Sequence, residues 1–314
     1  MENDSGPFSS NTREEAGMIT KQIILLAILV IFSCTGVADG HDTWAIPDSG
    51  RVLTGETVSL AVGSSHVWGR SEEVPEGYLI AVLSDKDGNR QVRTGDDATI
   101  TGLYRVFDFN IRNDGLYIFT LYHTEGTWTH IVTNPPDKEE GLWLNQNLED
   151  IDISQIPKDD WSDTWYIEQS YPKHDYTKTF LVSKNADFSQ AGLPVHTTWE
   201  IIPETDIRTA GSGDFAVRVL YKGAPFSGVV VKAALIDHVD TLVENRTDVQ
   251  GRAILPLNRS GTWVIKADTG TDPRVVSYQD LPRGVQSSRK TPVGPVYRYT
   301  LVLRADYADI FPSG

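Results

Sequence analysis

The sequence predicts an all-β fold: two Ig-like β-sandwich domains in tandem, the first interrupted by a long irregular, Trp-rich excursion. Three observations carry this. Short runs alternate apolar and polar residues. Gly, Asp, Asn and Pro break those runs at regular intervals. No stretch of ordinary helix length beyond the leader keeps apolar residues at helical spacing.

The leader comes first. Residues 23–32, IILLAILVIF, form a ten-residue apolar run behind Lys21. A bilayer crossing takes about 20 apolar residues, so the run reads as the core of a signal peptide rather than a membrane anchor. The expected signal peptide spans 18–40. Residues 1–17 are polar and acidic, unlike an n-region, and read as a spurious extension ahead of a natural start at Met18. Two cleavage registers are open. A cut after Gly40 leaves His41 first; a cut after Ala38 leaves Asp39-Gly40-His41. A lipoprotein cut before Cys34 would put bulky Phe32 where a small residue is wanted. The expected location is therefore extracytoplasmic, in the periplasm, with no membrane span after cleavage.

The chain is acidic, with a formal charge of −15 at pH 7. That excludes a nucleic-acid binder, which needs clustered Lys and Arg. Cys34 is the single cysteine. The segment from His41 onward can have no internal disulfide, no thiolate metal site and no Cys nucleophile.

The first domain is expected over 41–190. Trp44 anchors its first strand and Pro47 ends it. Further strands are expected near Thr57–Val62, Tyr78–Ser84, Tyr104–Ile111, Leu116–Tyr122 and Trp128–Val132. Asp87-Gly88 and the "RNDGLY" segment (112–117) supply hairpin turns. Residues 134–176 lose the alternation and carry Trp143, Trp161 and Trp165; one short helix is expected there, around Leu142–Ile151. The Gly-Pro loop "ADFSQAGLPVH" (186–196) marks the boundary. In the second domain, 191–314, Phe215, Val217, Val219 and Tyr221 alternate inward. A strand follows the Gly228 turn, a turn–strand pair repeats over 247–268, and Tyr297, Tyr299, Leu301 and Leu303 close the fold.

With no thiolate to use, any metal must be held by His, carboxylates or the amino terminus. All seven histidines follow residue 40. If His41 is first, its α-amine and Nδ1 can chelate one ion, and a second imidazole completes a T-shaped copper site. If Asp39 is first, the amine, two backbone amides and the His41 imidazole make a square-planar set suited to Cu(II) or Ni(II). His66, in the Gly/Ser-rich loop "VGSSHVWG", is the best second ligand, or else it only bonds its own loop. His123 and His130 flank "TEGTWT". A two-residue turn at Glu125-Gly126 makes them diagonal neighbours on one face, close enough for one metal; a three-residue turn separates them. Asp42 is either an acceptor behind a ligand histidine or a partner for local backbone. His174, beside Asp175, reads as an exposed loop residue, and His196 and His238 receive no role.

No P-loop, dinucleotide fingerprint, HExxH or GxSxG motif is present, and no acidic pair, such as Asp159-Asp160, stands out as catalytic. The stretches "HDTWAIP", "GETVSLAVGSSHVWG" (55–69), "YPKHDYTKTFLV" (171–182) and "WEIIPE…FAVRVLYKGAPFSGVVVKA…TDVQGRAILPLNRSGTW" resemble a bacterial domain-of-unknown-function family. That family is commonly labelled the periplasmic component of nickel/cobalt transport. The resemblance covers nearly the whole chain after the leader and implies an exported two-part β protein that handles metal. The second half also resembles Ig-like or transthyretin-like bacterial modules, with their Gly-x-Pro-x-x-Gly and Thr-Asp-x-x-Gly turns. The leading expectation is thus a non-catalytic, exported protein that binds nickel, cobalt or copper and serves a membrane transporter or receptor. The metal ligands would be His41, His66, His123 and His130. A cell-surface module binding protein or glycan through the Trp-rich excursion is the second reading. A copper oxidative enzyme built on a terminal histidine chelate is the third.

Overall fold

The computed structural model describes residues 41–66, 68–133, 142–146, 165–236, 238–270, 272–279, 291–305 and 307. The leader, with its expected signal peptide and Cys34, lies outside them, as do Trp161 and most of the excursion. In chain order the strands are β1 (Asp42–Pro47), β2 (Thr57–Ser65), β3 (Tyr78–Ser84), β4 (Arg90–Thr94), β5 (Thr99–Thr101), β6 (Tyr104–Asn110), β7 (Leu116–Thr133), β8 (Leu142–Leu144) and β9 (Trp165–Val182). Then come β10 (Trp199–Pro203), β11 (Gly213–Tyr221), β12 (Ala224–Pro225), β13 (Val230–Leu235), β14 (His238–Arg246), β15 (Arg252–Leu257), β16 (Thr262–Asp268), β17 (Ser277–Gln279), β18 (Thr291–Val293) and β19 (Val296–Arg304). The fold is all-β and sandwich-like, with only short 3-10 turns among the described residues.

Three sheets result. One small sheet runs β1-β2-β6-β5. A second joins β11 to β10, β12 and β15. A large sheet runs β14-β13-β16-β19-β9-β7-β3-β4, with β8 on the far half of β7 and β17–β18 beside β9. Its β9–β19 pair is parallel. Strand periodicity explains the layering. Successive side chains point to opposite faces, so Phe180 of β9 enters one core and its neighbour Leu181 the other. The first core packs Leu60, Phe107 and Phe109 against Leu79, Phe119 and Leu121. The second packs Trp199, Phe215 and Leu255 against Trp263, Ile265 and Leu301. Leu116, Phe180 and Val182, which precede residue 190, therefore belong to a core whose other fully buried residues follow it.

Several expected elements change. The Glu125-Gly126 turn is absent: residues 116–133 form one strand, and the irregularity between His123 and Gly126 is a bulge against β9. Gly126, at φ +100°, supplies the positive φ the bulge needs. "RNDGLY" is a crossing between two sheets rather than a hairpin, since β6 and β7 do not pair. The Tyr117 hydroxyl closes it, accepting from the backbone N–H of Arg112 and Asn113 and donating to the Asn113 carbonyl. Residues 165–176 are not part of an irregular excursion but the first two-thirds of β9, and Leu142–Leu144 is a strand rather than a helix start.

The segment after β9 is held by a buried ion pair. Lys178 and Glu200 lie 3.7 Å apart, both nearly inaccessible. Lys178 Nζ donates to the carbonyls of Ala191 and Leu193, and Glu200 accepts from the N–H groups of Val195 and His196. Burial pulls the Lys178 pKa down from 10.5 to about 8 even though Glu200 opposes the shift. Between about pH 8 and 10.5 the unfolded chain binds more protons at this lysine than the folded one. Its contribution to stability therefore rises with pH through that window and is smallest below it. Urea unfolding at about pH 7.5 and about pH 9.5 should show the wild type gaining on a Lys178→Met variant at the higher pH. Parallel profiles would refute the buried ammonium.

Candidate metal centre

β1 is the edge strand of its sheet and lies over the β9–β19 seam. An edge strand leaves one row of backbone groups unpaired. Here side chains of the large sheet take two of those carbonyls. His41 O accepts from Lys173 Nζ at 2.6 Å and Arg298 Nη1 at 3.2 Å. Thr43 O accepts from Thr177 Oγ1 at 3.0 Å and Thr300 Oγ1 at 2.8 Å. Lys173, Arg298 and both threonines are buried.

The charges beneath β1 are paired. Asp42 meets Lys266 Nζ at 2.8 Å and Arg298 at 3.6 Å, and Asp175 meets Lys173 at 3.1 Å. Burial pushes the Asp42 carboxyl up, but Lys266 and Arg298 outweigh it and hold the group below the usual range. Asp175 is likewise held well below that range, against burial, chiefly by Lys173 and by its contact with His123. Arg298 is raised by the two aspartates despite burial.

The His66 loop folds back on this strand. β1 and β2 pair with Asp42 opposite Ser65, which puts His41 beside His66. After His66 the chain turns, with Gly69 at φ +99°, and returns so that Glu73 bridges Ser64. The Glu72 N–H donates to Ser64 O, and Ser71 Oγ accepts from the Ser64 N–H and donates to Glu73 O. Trp68 Nε1 donates to Asp42 Oδ2 at 3.0 Å, tying the loop to the residue after His41. Asp42 is thus an anchor for the loop, not a partner of a ligand imidazole.

Four side chains converge. The His41 and His66 rings meet edge-on, with centroids 4.2 Å apart. Glu72 Oε2 lies 3.1 Å from His41 Nε2 and 2.9 Å from His66 Nδ1. One ligand atom from each of His41, His66 and Glu72 fits within a 4.8 Å cluster. Glu73 Oε1 accepts from His41 Nδ1 and from Ser64 Oγ. His66 holds Glu72 below the usual carboxylate range through their hydrogen bond, against a small desolvation effect. The His41 side chain is 23 % exposed and that of His66 56 %, so the cluster opens to solvent on one side. Two imidazoles and a carboxylate form a donor set for a borderline divalent transition metal.

The structure brings His41 and His66 together but not His123 and His130. Both lie on β7, opposite Asp175 and Gln169 of β9. At roughly 3.3 Å per residue they sit about 20 Å apart, too far for one ion. His123 is fully buried and spent on Thr43 Oγ1 (2.7 Å) and Glu76 O (2.5 Å), and His130 is buried elsewhere on the strand. His174, expected in a loop, is on β9, between Tyr122 and Tyr297. Glu72 and Glu73 were not singled out from the sequence. The readable signal is a Gly69-Arg70-Ser71 turn within reach of His66.

Residues 38–271 match the family described as "Domain of unknown function (DUF4198)". The chain belongs to the DUF4198 family. No curated protein matches it. Among solved structures it is similar to trypsin-activated alpha-2-macroglobulin from Escherichia coli, at 11% identity and TM-score 0.21, over 83% of this chain and 15% of that one. It is also similar to a two-domain fibronectin type-III segment of chicken tenascin, at 11% identity and TM-score 0.20, over 85% and 99% of the two chains. The D0-D1 domain of intimin is similar at 10% identity and TM-score 0.18, over 83% and 99%. Among the described residues, no helix of this DUF4198 chain is long and apolar enough to cross a membrane.

The β1–β2 register that makes the cluster rests on Trp44. Its ring is fully buried against Gly63, where a Cβ would come within 2.6 Å of it, and its Nε1 donates to Ser65 Oγ. Gly63→Ala is expected to destabilise the protein by about 1–3 kcal/mol through overpacking, read from urea unfolding. An unchanged midpoint would mean that the Trp44 ring is not seated there.

Proposed function

We propose that this DUF4198 protein is an exported, non-catalytic binder of a divalent transition metal, nickel or cobalt foremost, serving metal uptake or handling outside the cytoplasm. The observation that carries the proposal is the convergence of His41, His66 and Glu72 on one point. Imidazole nitrogens suit nickel, cobalt, copper and zinc, and one carboxylate oxygen adds charge without demanding a soft ion. The part-exposed side supports exchange with a partner such as a membrane transporter, while the buried side fixes the ligands. Copper in an all-nitrogen square is less favoured, because Glu72 stands between the two imidazoles.

The test is a titration of the protein beginning at His41 with Ni(II) and Co(II), followed by calorimetry. One site per chain is expected, with affinity falling by about tenfold or more in His41→Ala, His66→Ala and Glu72→Gln. His238→Ala, at an exposed position away from the cluster, should bind as the wild type does. Equal binding by all five proteins, or by none, would sink the proposal.

A further inference from the structure

We infer that Glu73 is a positioning residue that fixes the His41 tautomer, so that His41 offers Nε2 to the ion and the site does not use the α-amine. This rests on the metal reading above and names the atoms of that site. An ionised carboxylate only accepts hydrogen bonds, so the contact between His41 Nδ1 and Glu73 Oε1 places the proton on Nδ1. Glu73 is itself held in place. It is tied by Ser64 Oγ at 3.1 Å and by the backbone bridge to Ser64, and its carbonyl takes Ser71 Oγ at 2.7 Å. The opposite edge of the ring then presents Nε2 to Glu72 Oε2, 3.1 Å away. A lone pair facing a carboxylate is repulsive unless a cation lies between them, either a proton on Nε2 or a metal ion in its place. A divalent ion there would be shared by His41 Nε2, Glu72 and His66.

A chelate through a free His41 amine would need Nδ1, the nitrogen nearer the backbone. That atom is taken. The backbone of His41 is held as well, since Lys173 and Arg298 donate to its carbonyl. The side chains alone therefore assemble the donor set, and a chain with residues ahead of His41 has the same one.

The experiment uses Co(II), read by its visible absorption, with Zn(II) competition. The proteins are the one beginning at His41, the same protein with a Gly-Ser-Gly-Ser extension ahead of it, Glu73→Gln and Glu73→Ala. Long-range nitrogen–proton NMR on the Zn(II)-loaded proteins reads which His41 nitrogen keeps its proton. Extended and unextended proteins should bind Co(II) equally and with the same spectrum. The His41 proton should sit on Nδ1 in the wild type. Glu73→Ala should weaken binding by about 10–100-fold and lose the tautomer preference. Glu73→Gln, which keeps an acceptor oxygen, should recover part of both. Loss of binding on extension, unchanged affinity in Glu73→Ala, or a proton on Nε2 overturns this inference while leaving a metal site standing. Failure of every protein to bind Co(II) or Zn(II) overturns the metal reading, and this inference with it.

Discussion

The structure depends on how the first strand's backbone and charge are satisfied once they are buried. β1 closes one face of the large sheet, and the groups it covers are ionic. Lys173 and Asp175 come from β9, Lys266 from β16 and Arg298 from β19. Charges taken out of water are tolerated only when paired and hydrogen-bonded. Asp42 pairs with both Lys266 and Arg298, and the carbonyls of His41 and Thr43 absorb further donors. Removing one partner of such a cluster costs about 3–5 kcal/mol, because the other is left buried and uncompensated. The strand is therefore locked by electrostatics that nothing in its own sequence neighbourhood provides.

That lock has a consequence for the histidine at its end. A side chain at a frayed edge would have to be ordered at the moment it bound an ion, which costs free energy. At His41 the carbonyl is already held by two cations and the next residue by three partners, Lys266, Arg298 and Trp68. Trp68 extends the same order to the His66 loop. The side chains of the cluster are thus held on the protein side and open on the solvent side.

Much of the fold was legible in the sequence, because one-sided burial writes a period of two. Tyr78–Ser84 came out as expected, and the inward rows of β11 and β19 did so too because their apolar residues alternate in the sequence even though their second faces are largely covered. The long strands were not legible, for two physical reasons. Gly126 and its polar neighbours look like a turn, yet they make a bulge, and only the partner strand decides between the two. β9 buries polar groups on both faces: Lys173, Asp175 and Thr177 under β1, and Lys178 in the opposite core. Alternation vanishes when neither face is solvated. At the site, His41 and His66 were readable as candidates. Glu72 and Glu73 were not, since their place depends on a loop that returns along Ser64. The cationic partners of Asp42, Lys266 and Arg298, lie in strands near the other end of the chain, beyond the reach of any local spacing argument.

The motif His41-Asp42-Thr43-Trp44 acts, residue by residue, as one device that fixes register. A strand slipped by one residue turns every side chain to the other face, so a site built across two strands is only as sound as their pairing. Three independent locks hold this pairing. Trp44 fills the space over Gly63 that no other residue type at 63 would leave. Thr43 bridges the Asp175 carboxylate and the His123 ring. Asp42 discharges two buried cations and holds Trp68. A slip in either direction would expose the indole, take Asp42 from its two cations and move His41 away from Glu72 together. The penalty for misplacing His41 is therefore the penalty for misfolding the strand, and the geometry of the cluster is enforced by the core rather than by the exposed groups that form it.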